Sequence, residues 1–196
     1  MSNILDHLSH RVLLCDGGMG TQVQARNLSV DVDYDGHENC TDILTRTRPD
    51  MVRDIHAAYF AAGADMVETN TFGAQAITLG EFGLQAEAFA LNKVAAELAR
   101  EAAEQFKGDG RPRFVLGSVG PGTKLPSLGH IDYDSLEAAL VTQAQGLIAG
   151  GIDAFLIETC QDPLQIKAAV NGARIAANGA GKAVPVFVQV TVETTG

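Results

Sequence analysis

Val12-Leu13-Leu14-Cys15-Asp16-Gly17-Gly18-Met19-Gly20-Thr21 sets the reading of the whole chain. Val-Leu-Leu is a short apolar run of the kind that forms a buried strand. It stops at a carboxylate, and Gly17, Gly18 and Gly20 follow at once. Glycines at such a place allow a backbone turn with φ > 0 and close approach to a small ligand. An acid at the end of a buried strand, beside bare backbone N–H groups, suits a small zwitterion. Asp16 would hold an ammonium, and the N–H groups around Gly17 and Gly18 a carboxylate. A tight strand-to-loop turn in which Asp16 bonds its own backbone accounts for the same residues.

Outward from this stretch the apolar run recurs at 64–70, 114–118, 154–159 and 184–192. Between these runs lie segments with helical spacing. Thr47-Arg48-Pro49-Asp50 reads as a helix start with Thr47 as cap, and Val52, Ile55, Tyr59 and Phe60 carry the apolar face to Gly63. Leu84, Ala88, Leu91, Ala95, Leu98, Ala102 and Phe106 line a second helix, ended by Gly108. A third starts at Asp134 and runs to Gly150-Gly151; a fourth starts at Asp162-Pro163 and ends near Gly179. Residues 1–10 form a short amphipathic lead-in, and 21–46 read as a long irregular loop. The order β-α-β-α-β-α-β-α-β, with continuously apolar strands, predicts a parallel sheet covered by helices. Two architectures fit: an open doubly wound sheet, or part of a (β/α)8 barrel.

Composition narrows the function. The chain of 196 residues is enough for one domain with a sizeable core, and 46% hydrophobic against 19% charged residues marks it as globular. A net charge of −10 disfavours nucleic acid and anionic membranes as partners. The sequence has no run long enough to span a bilayer and no secretion signal at its start. Cys15, Cys40 and Cys160 are too few and too scattered for a disulfide framework, so the cytosol is the expected compartment.

Four strands end in acids: Asp16, Glu68, Glu158 and, just past the fifth, Glu193; the third ends in Ser118. In βα units the C-terminal ends of parallel strands share one rim, where barrel enzymes place their chemistry. Strand-end acids also serve as helix caps, but Asp162 before Pro163 already fills that place after Glu158. The rim is therefore expected to bind a cation, with Glu68 and Glu193 open to a second reading in which either faces a helix or pairs with a lysine or arginine. Gly18-x-Gly20 is an incomplete dinucleotide fingerprint, since position 23 is Val23, and Asp16 would repel a pyrophosphate there. His37 and Cys40 have a spacing zinc can use, yet no second pair accompanies them, so loop packing is the expected role. Alternation points Cys15 away from Asp16. Cys160, two residues past Glu158, reads as a packed or idle thiol with a place facing the rim as the alternative, and His56 reads as a structural residue.

Four segments carry a family resemblance: LLCDGGMGTQVQ (13–24), TRPDMVRDIHAAYFAAGADMVETNTFGA (47–74), GSVGPGTKLPSLGHIDYDSL (117–136) and IETCQDPLQIKAAV (157–170). Together they resemble the homocysteine S-methyltransferase family, most closely the homocysteine-binding module of its cobalamin-dependent members. The resemblance implies a (β/α)8 barrel, of which residues 1–196 would carry the first five β/α units. It implies methyl transfer to the sulfur of homocysteine, giving methionine. A zinc on three cysteine thiolates would hold the substrate sulfur, with methylcobalamin and methyltetrahydrofolate on other modules as the donor system. Betaine or S-methylmethionine as donor is the alternative within the class; a non-catalytic fragment or a nucleotide-binding protein is the alternative outside it. Carried over by position, Asp16 and Glu158 would hold the amino group, and amides around Gly17 and Gly18 the carboxylate, with Asn70 and Ser118 at the same rim. The family's zinc cysteines belong to later segments, so the metal ligands are expected downstream of Gly196, and none of the three cysteines here matches them. The chain alone is expected to be inactive, and its open barrel edges to be covered by more chain or by self-association.

Overall fold

The computed structural model describes residues 3–192. Glu193 and Gly196 lie outside the described residues, so the expectations attached to them, an acid past the fifth strand and metal ligands beyond the last residue, do not meet this structure. Four parallel strands form one sheet: β1 (Met66–Glu68), β2 (Phe114–Val119), β3 (Ala154–Cys160) and β4 (Val186–Val190). They lie side by side in chain order, without the reversal at which a doubly wound sheet binds nucleotide. Helix α4 (Pro49–Ala62) leads into β1, and α6 (Ala88–Gln105), α7 (Tyr133–Gly150) and α8 (Pro163–Gly179) run between successive strands. The remaining helices are short: α1 (Ile4–Leu8), α2 (Met19–Gln24), α3 (Leu44–Thr47) and α5 (Ala76–Gly80).

Both faces of the sheet are apolar, as a parallel sheet requires. Phe155 and Ile157 of β3 pack towards the helices with Leu140, Leu147 and Ala173. Phe114, Leu116, Ala154 and Leu156 face the other way and meet Leu13 and Ile4. Helix α7 presses on α6 through Gly146 and Gly150, where a Cβ would stand 2.5 Å from the Phe89 carbonyl and 2.3 Å from that of Lys93. A side chain at either position would force these helices apart.

Several expectations need correction. The first strand is reduced to a single bridge, Cys15 to Met66, with Asp16 N–H donating to the Met66 carbonyl at 3.0 Å. The segment 21–46 is not a bare loop: it holds most of α2, a 3-10 turn at Thr41–Ile43 and α3. Thr47 closes α3 by donating to the Ile43 and Asp33 carbonyls, so Arg48 occupies the cap of α4 and no side chain caps its backbone N–H groups. The third long helix is capped by Asp132, which accepts from Ser135 N–H at 2.8 Å, and not by Asp134. Asp162 caps α8 through Leu164 N–H at 2.8 Å, as its place before Pro163 predicts. Among the described residues no helix is long and apolar enough to cross a membrane.

Candidate functional site

The C-terminal ends of the strands open into a cavity of about 540 Å³. Asp16, Gly17, Gly18, Asn70, Ser118 and Glu158 all line it, together with Glu68. Three carboxylates thus meet in one cavity, and no lysine, arginine or histidine lines it among the described residues.

Each acid is placed by backbone geometry. Asp16 follows the bridge at Cys15, and both its oxygens accept the Glu68 N–H at 3.1 Å. It does not cap α2, which begins at Met19. Glu68 is the last residue of β1, and Glu158 lies near the end of β3. Ser118 of β2 donates its hydroxyl to Glu158 Oε1 at 2.5 Å, which fixes that carboxylate. Ser118 is held in turn: its N–H donates to Thr69 Oγ1 at 3.0 Å, and Thr71 Oγ1 donates to its carbonyl at 2.7 Å. Asn70 is buried, and its amide donates to the Thr41 carbonyl at 2.9 Å and to Thr45 Oγ1 at 3.3 Å. Its amide nitrogen therefore ties the rim loop to the 41–45 segment.

Gly17, Gly18 and Gly20 do not adopt positive φ, contrary to the turn expected from sequence. Lack of bulk is what matters at Gly17, where a Cβ would stand 3.2 Å from the Tyr59 hydroxyl. That hydroxyl donates to the Gly18 carbonyl at 3.3 Å and pins the loop. The N–H groups of Gly17 and Gly18 have no protein acceptor among the described residues.

Burial shifts these acids, and like charge adds to it. Burial, reinforced by the neighbouring Glu68 charge and opposed by the Glu68 N–H, raises Asp16 to about 7. Burial and the Glu158 charge raise Glu68 as well. Cys15 does not point away from Asp16. Its sulfur lies 3.4 Å from Asp16 Oδ1 and 3.4 Å from Glu68 Oε1. The alternation argument fails because a one-residue bridge does not impose a strand's pleat. Burial and both carboxylates push the Cys15 thiol far up, so it stays protonated and donates to the acids.

Ligand atoms of Cys15, Asp16 and Glu68 lie within 4.8 Å of one another. A three-thiolate zinc needs three sulfurs around one point. Here Cys15 sits with two acids, Cys40 packs against Leu79 and Leu91, and Cys160 lies in the helix-side core with Ile157. The three cysteines do not fit such a metal. His37 stacks edge-on against Phe82 at 6.4 Å, in the loop packing expected of it. Sequence reasoning missed Tyr59 and Thr71, which looked like a helix core residue and a loop residue; the small polar run Thr69-Asn70-Thr71 was the available signal.

Comparison with known proteins adds three findings. The homocysteine S-methyltransferase family model matches residues 13–196. Over 195 residues the chain is 50% identical to a methionine synthase of Mycobacterium tuberculosis (strain ATCC 25618 / H37Rv) and 49% identical to one of Mycobacterium leprae (strain TN). Each match takes in 100% of this chain but 16% of the relative, so the chain spans about a sixth of their length. The oxidized form of the homocysteine methyltransferase MmuM from Escherichia coli superposes with a TM-score of 0.72, over 92% of this chain and 63% of that one. At 23% identity this is a likeness of fold.

Proposed function

The chain belongs to the homocysteine S-methyltransferase family, and from that membership we propose that its three-acid cavity holds L-homocysteine for methyl transfer to the sulfur, giving methionine. One observation carries the reading: three carboxylates converge on a cavity that no cationic side chain lines among the described residues. Such a site is electrostatically incomplete, and an ammonium completes it. Asp16 and Glu158 flank the amino group, Glu68 adds charge from β1, and the N–H groups of Gly17 and Gly18 receive the carboxylate. Ser118 holds Glu158, and Asn70 holds the rim loop. Their work is positioning: they fix the amino-acid end so that the sulfur projects in one direction. Asp16 loses its proton as the ammonium arrives.

No step of sulfur activation falls to these residues, because the cysteines here do not fit the three-thiolate zinc that the resemblance implies. Zinc in a complete domain, on cysteines downstream of Gly196, belongs to the same proposal, as do methylcobalamin and methyltetrahydrofolate on further modules; relatives about six times as long leave room for them. The strand order supports a (β/α)8 barrel wall, with 1–196 as its first part. Val12 and Leu14 at one edge are 81% and 58% exposed, and Val190 at the other 55%, so these are the edges a closing barrel or a second copy would cover. The cytosol fits all of this.

Calorimetric titration with L-homocysteine tests the reading. The chain is expected to bind, and Glu158→Gln to weaken binding at least tenfold. Equal affinity in the two proteins, or no binding by either, would overturn it.

A further inference from the structure

Glycine-rich backbone has little stiffness of its own, and Gly17, Gly18 and Gly20 fall within four residues. Donors that receive a carboxylate add most affinity where they are held in place before the ligand comes. The N–H groups of Gly17 and Gly18 therefore need an anchor outside the turn. Tyr59, in the last turn of α4, supplies one.

Its hydroxyl donates to the Gly18 carbonyl at 3.3 Å. Its ring edge lies against Gly17, where a Cβ would stand 3.4 Å from Cε1 and 3.2 Å from the hydroxyl oxygen. The peptide that carries the Gly18 N–H runs between these two contacts. The peptide that carries the Gly17 N–H starts at Asp16, whose own N–H donates to the Met66 carbonyl at 3.0 Å. The pair of N–H groups is thus held by β1 on one side and by Tyr59 on the other. Thr21 also donates to the Gly18 carbonyl, at 3.1 Å, but it is three residues on and moves with the turn. Tyr59 is 41 residues away and ties the turn to a long helix.

Packing explains the ring but not the hydroxyl. The ring is half-buried beside two core clusters, one with Val52 and Ile55, the other with Phe60 and Val67. A phenylalanine would fill that place as well. The hydroxyl has work only where something polar must be held, and here that is backbone bordering the three-acid cavity. Tyr59 does not line the cavity itself, so it acts through the turn.

We propose that Tyr59 is a positioning residue for the ligand's carboxylate: it braces the Gly17–Gly18 turn so that both N–H groups stand ready at the cavity. The site then has two separately built halves, acids for the ammonium and a tyrosine-braced turn for the carboxylate. The proposal rests on the reading of the cavity given above.

The test is Tyr59→Phe in the full chain, titrated calorimetrically with three thiols. L-homocysteine carries both groups, 4-mercaptobutanoate the carboxylate alone, and 3-aminopropane-1-thiol the amine alone. Loss of the hydroxyl bond is expected to weaken the Kd of the two carboxylates about fourfold and to leave that of the amine unchanged. A hydroxyl that served stability alone would lower Tm and move all three affinities alike, or none; either result would overturn the proposal. Nitrogen-15 relaxation of the ligand-free chain gives a second readout. The order parameters of the Gly17 and Gly18 amides are expected near about 0.85 in the wild type and lower by about 0.1–0.2 in Tyr59→Phe. Unchanged order parameters would overturn the proposal as well. If the wild-type chain binds none of the three thiols, the cavity reading falls, and the order parameters still decide whether Tyr59 holds the turn.

Discussion

The two ends of the same sheet treat carboxylates in opposite ways. At the N-terminal end, Asp65 is 1% exposed and meets Arg11 through two contacts of 2.8 Å, Arg111 at 2.9 Å and the Leu14 N–H at 2.9 Å. Arg100 reaches Asp153 there at 2.6 Å, and Arg113 reaches Asp109 at 2.5 Å. At the C-terminal end, Asp16, Glu68 and Glu158 meet with no cation lining their cavity among the described residues. The Arg11 hydrogen bond, with Leu14 N–H and Arg111, drives Asp65 well below the usual carboxylate range, whereas burial drives Asp16 up to about 7. The contrast separates acids that hold the protein together from acids that wait for a ligand. Satisfied charge at one end stabilises the fold; unsatisfied charge at the other is released only by something that comes from outside.

The largest effect is expected at the satisfied end. Asp65→Ala removes charge-assisted bonds to two arginines and a backbone N–H, and should cost about 3 kcal/mol in chemical denaturation. It should leave affinity for L-homocysteine unchanged. Asp16→Asn should do the reverse: affinity falls about tenfold, while stability of the ligand-free chain at pH 8 holds or rises. An affinity loss in the Asp65 variant equal to that of Asp16→Asn would erase the distinction between the ends.

A smaller effect appears in the pH dependence, and its sign differs between the ends. Asp65 has a lowered folded pKa, so its stabilisation is full above the unfolded value of about 3.9 and is lost as pH falls further. Asp16 has a raised folded pKa of about 7, so its contribution is full below about 3.9 and is lost as pH rises through 7. Stability of the wild type relative to Asp16→Asn should therefore decline between pH 5 and 8. Affinity for L-homocysteine should rise over the same interval, because the carboxylate must ionise to hold an ammonium. A flat difference curve would remove the shifted acid from the account.

Helix α4 adds a third slope, of structural origin. His56 is fully buried with neither ring nitrogen bonded, and burial lowers it to about 4. Stability should be whole above about pH 6.5 and fall towards pH 4, by on the order of 3 kcal/mol in total. His56→Leu should flatten that fall.

The strand-end acids were legible in the sequence because a parallel sheet gathers its C-terminal ends on one rim. Asp16 and Glu158 needed only the strand positions, and those depend on apolar runs that survive small errors in boundary; whether Glu68 faced the same cavity or a helix was not readable, and the structure places it in the cavity. What depends on exact backbone path was not legible. The orientation of Cys15 followed from a strand that turned out to be one bridge. Thr47 and Asp134 satisfied cap rules that their neighbours Arg48 and Asp132 displaced, since tertiary contacts choose between caps a residue or two apart. Thr159 carried no signal: nothing in Glu-Thr-Cys announces a left-handed residue, because the extra residue shows only in the pairing of β3 with β4. The Gly17–Gly18 turn was read for its freedom, but its use is close approach to Tyr59.

The central claim is that the unsatisfied acids grip an ammonium. The most direct measurement is calorimetric titration of the chain with L-homocysteine and with 4-mercaptobutanoate, which keeps the thiol and carboxylate but lacks the amine. The account predicts that L-homocysteine binds at least tenfold more tightly and that Glu158→Gln narrows the gap. Equal affinity for the two compounds would contradict it.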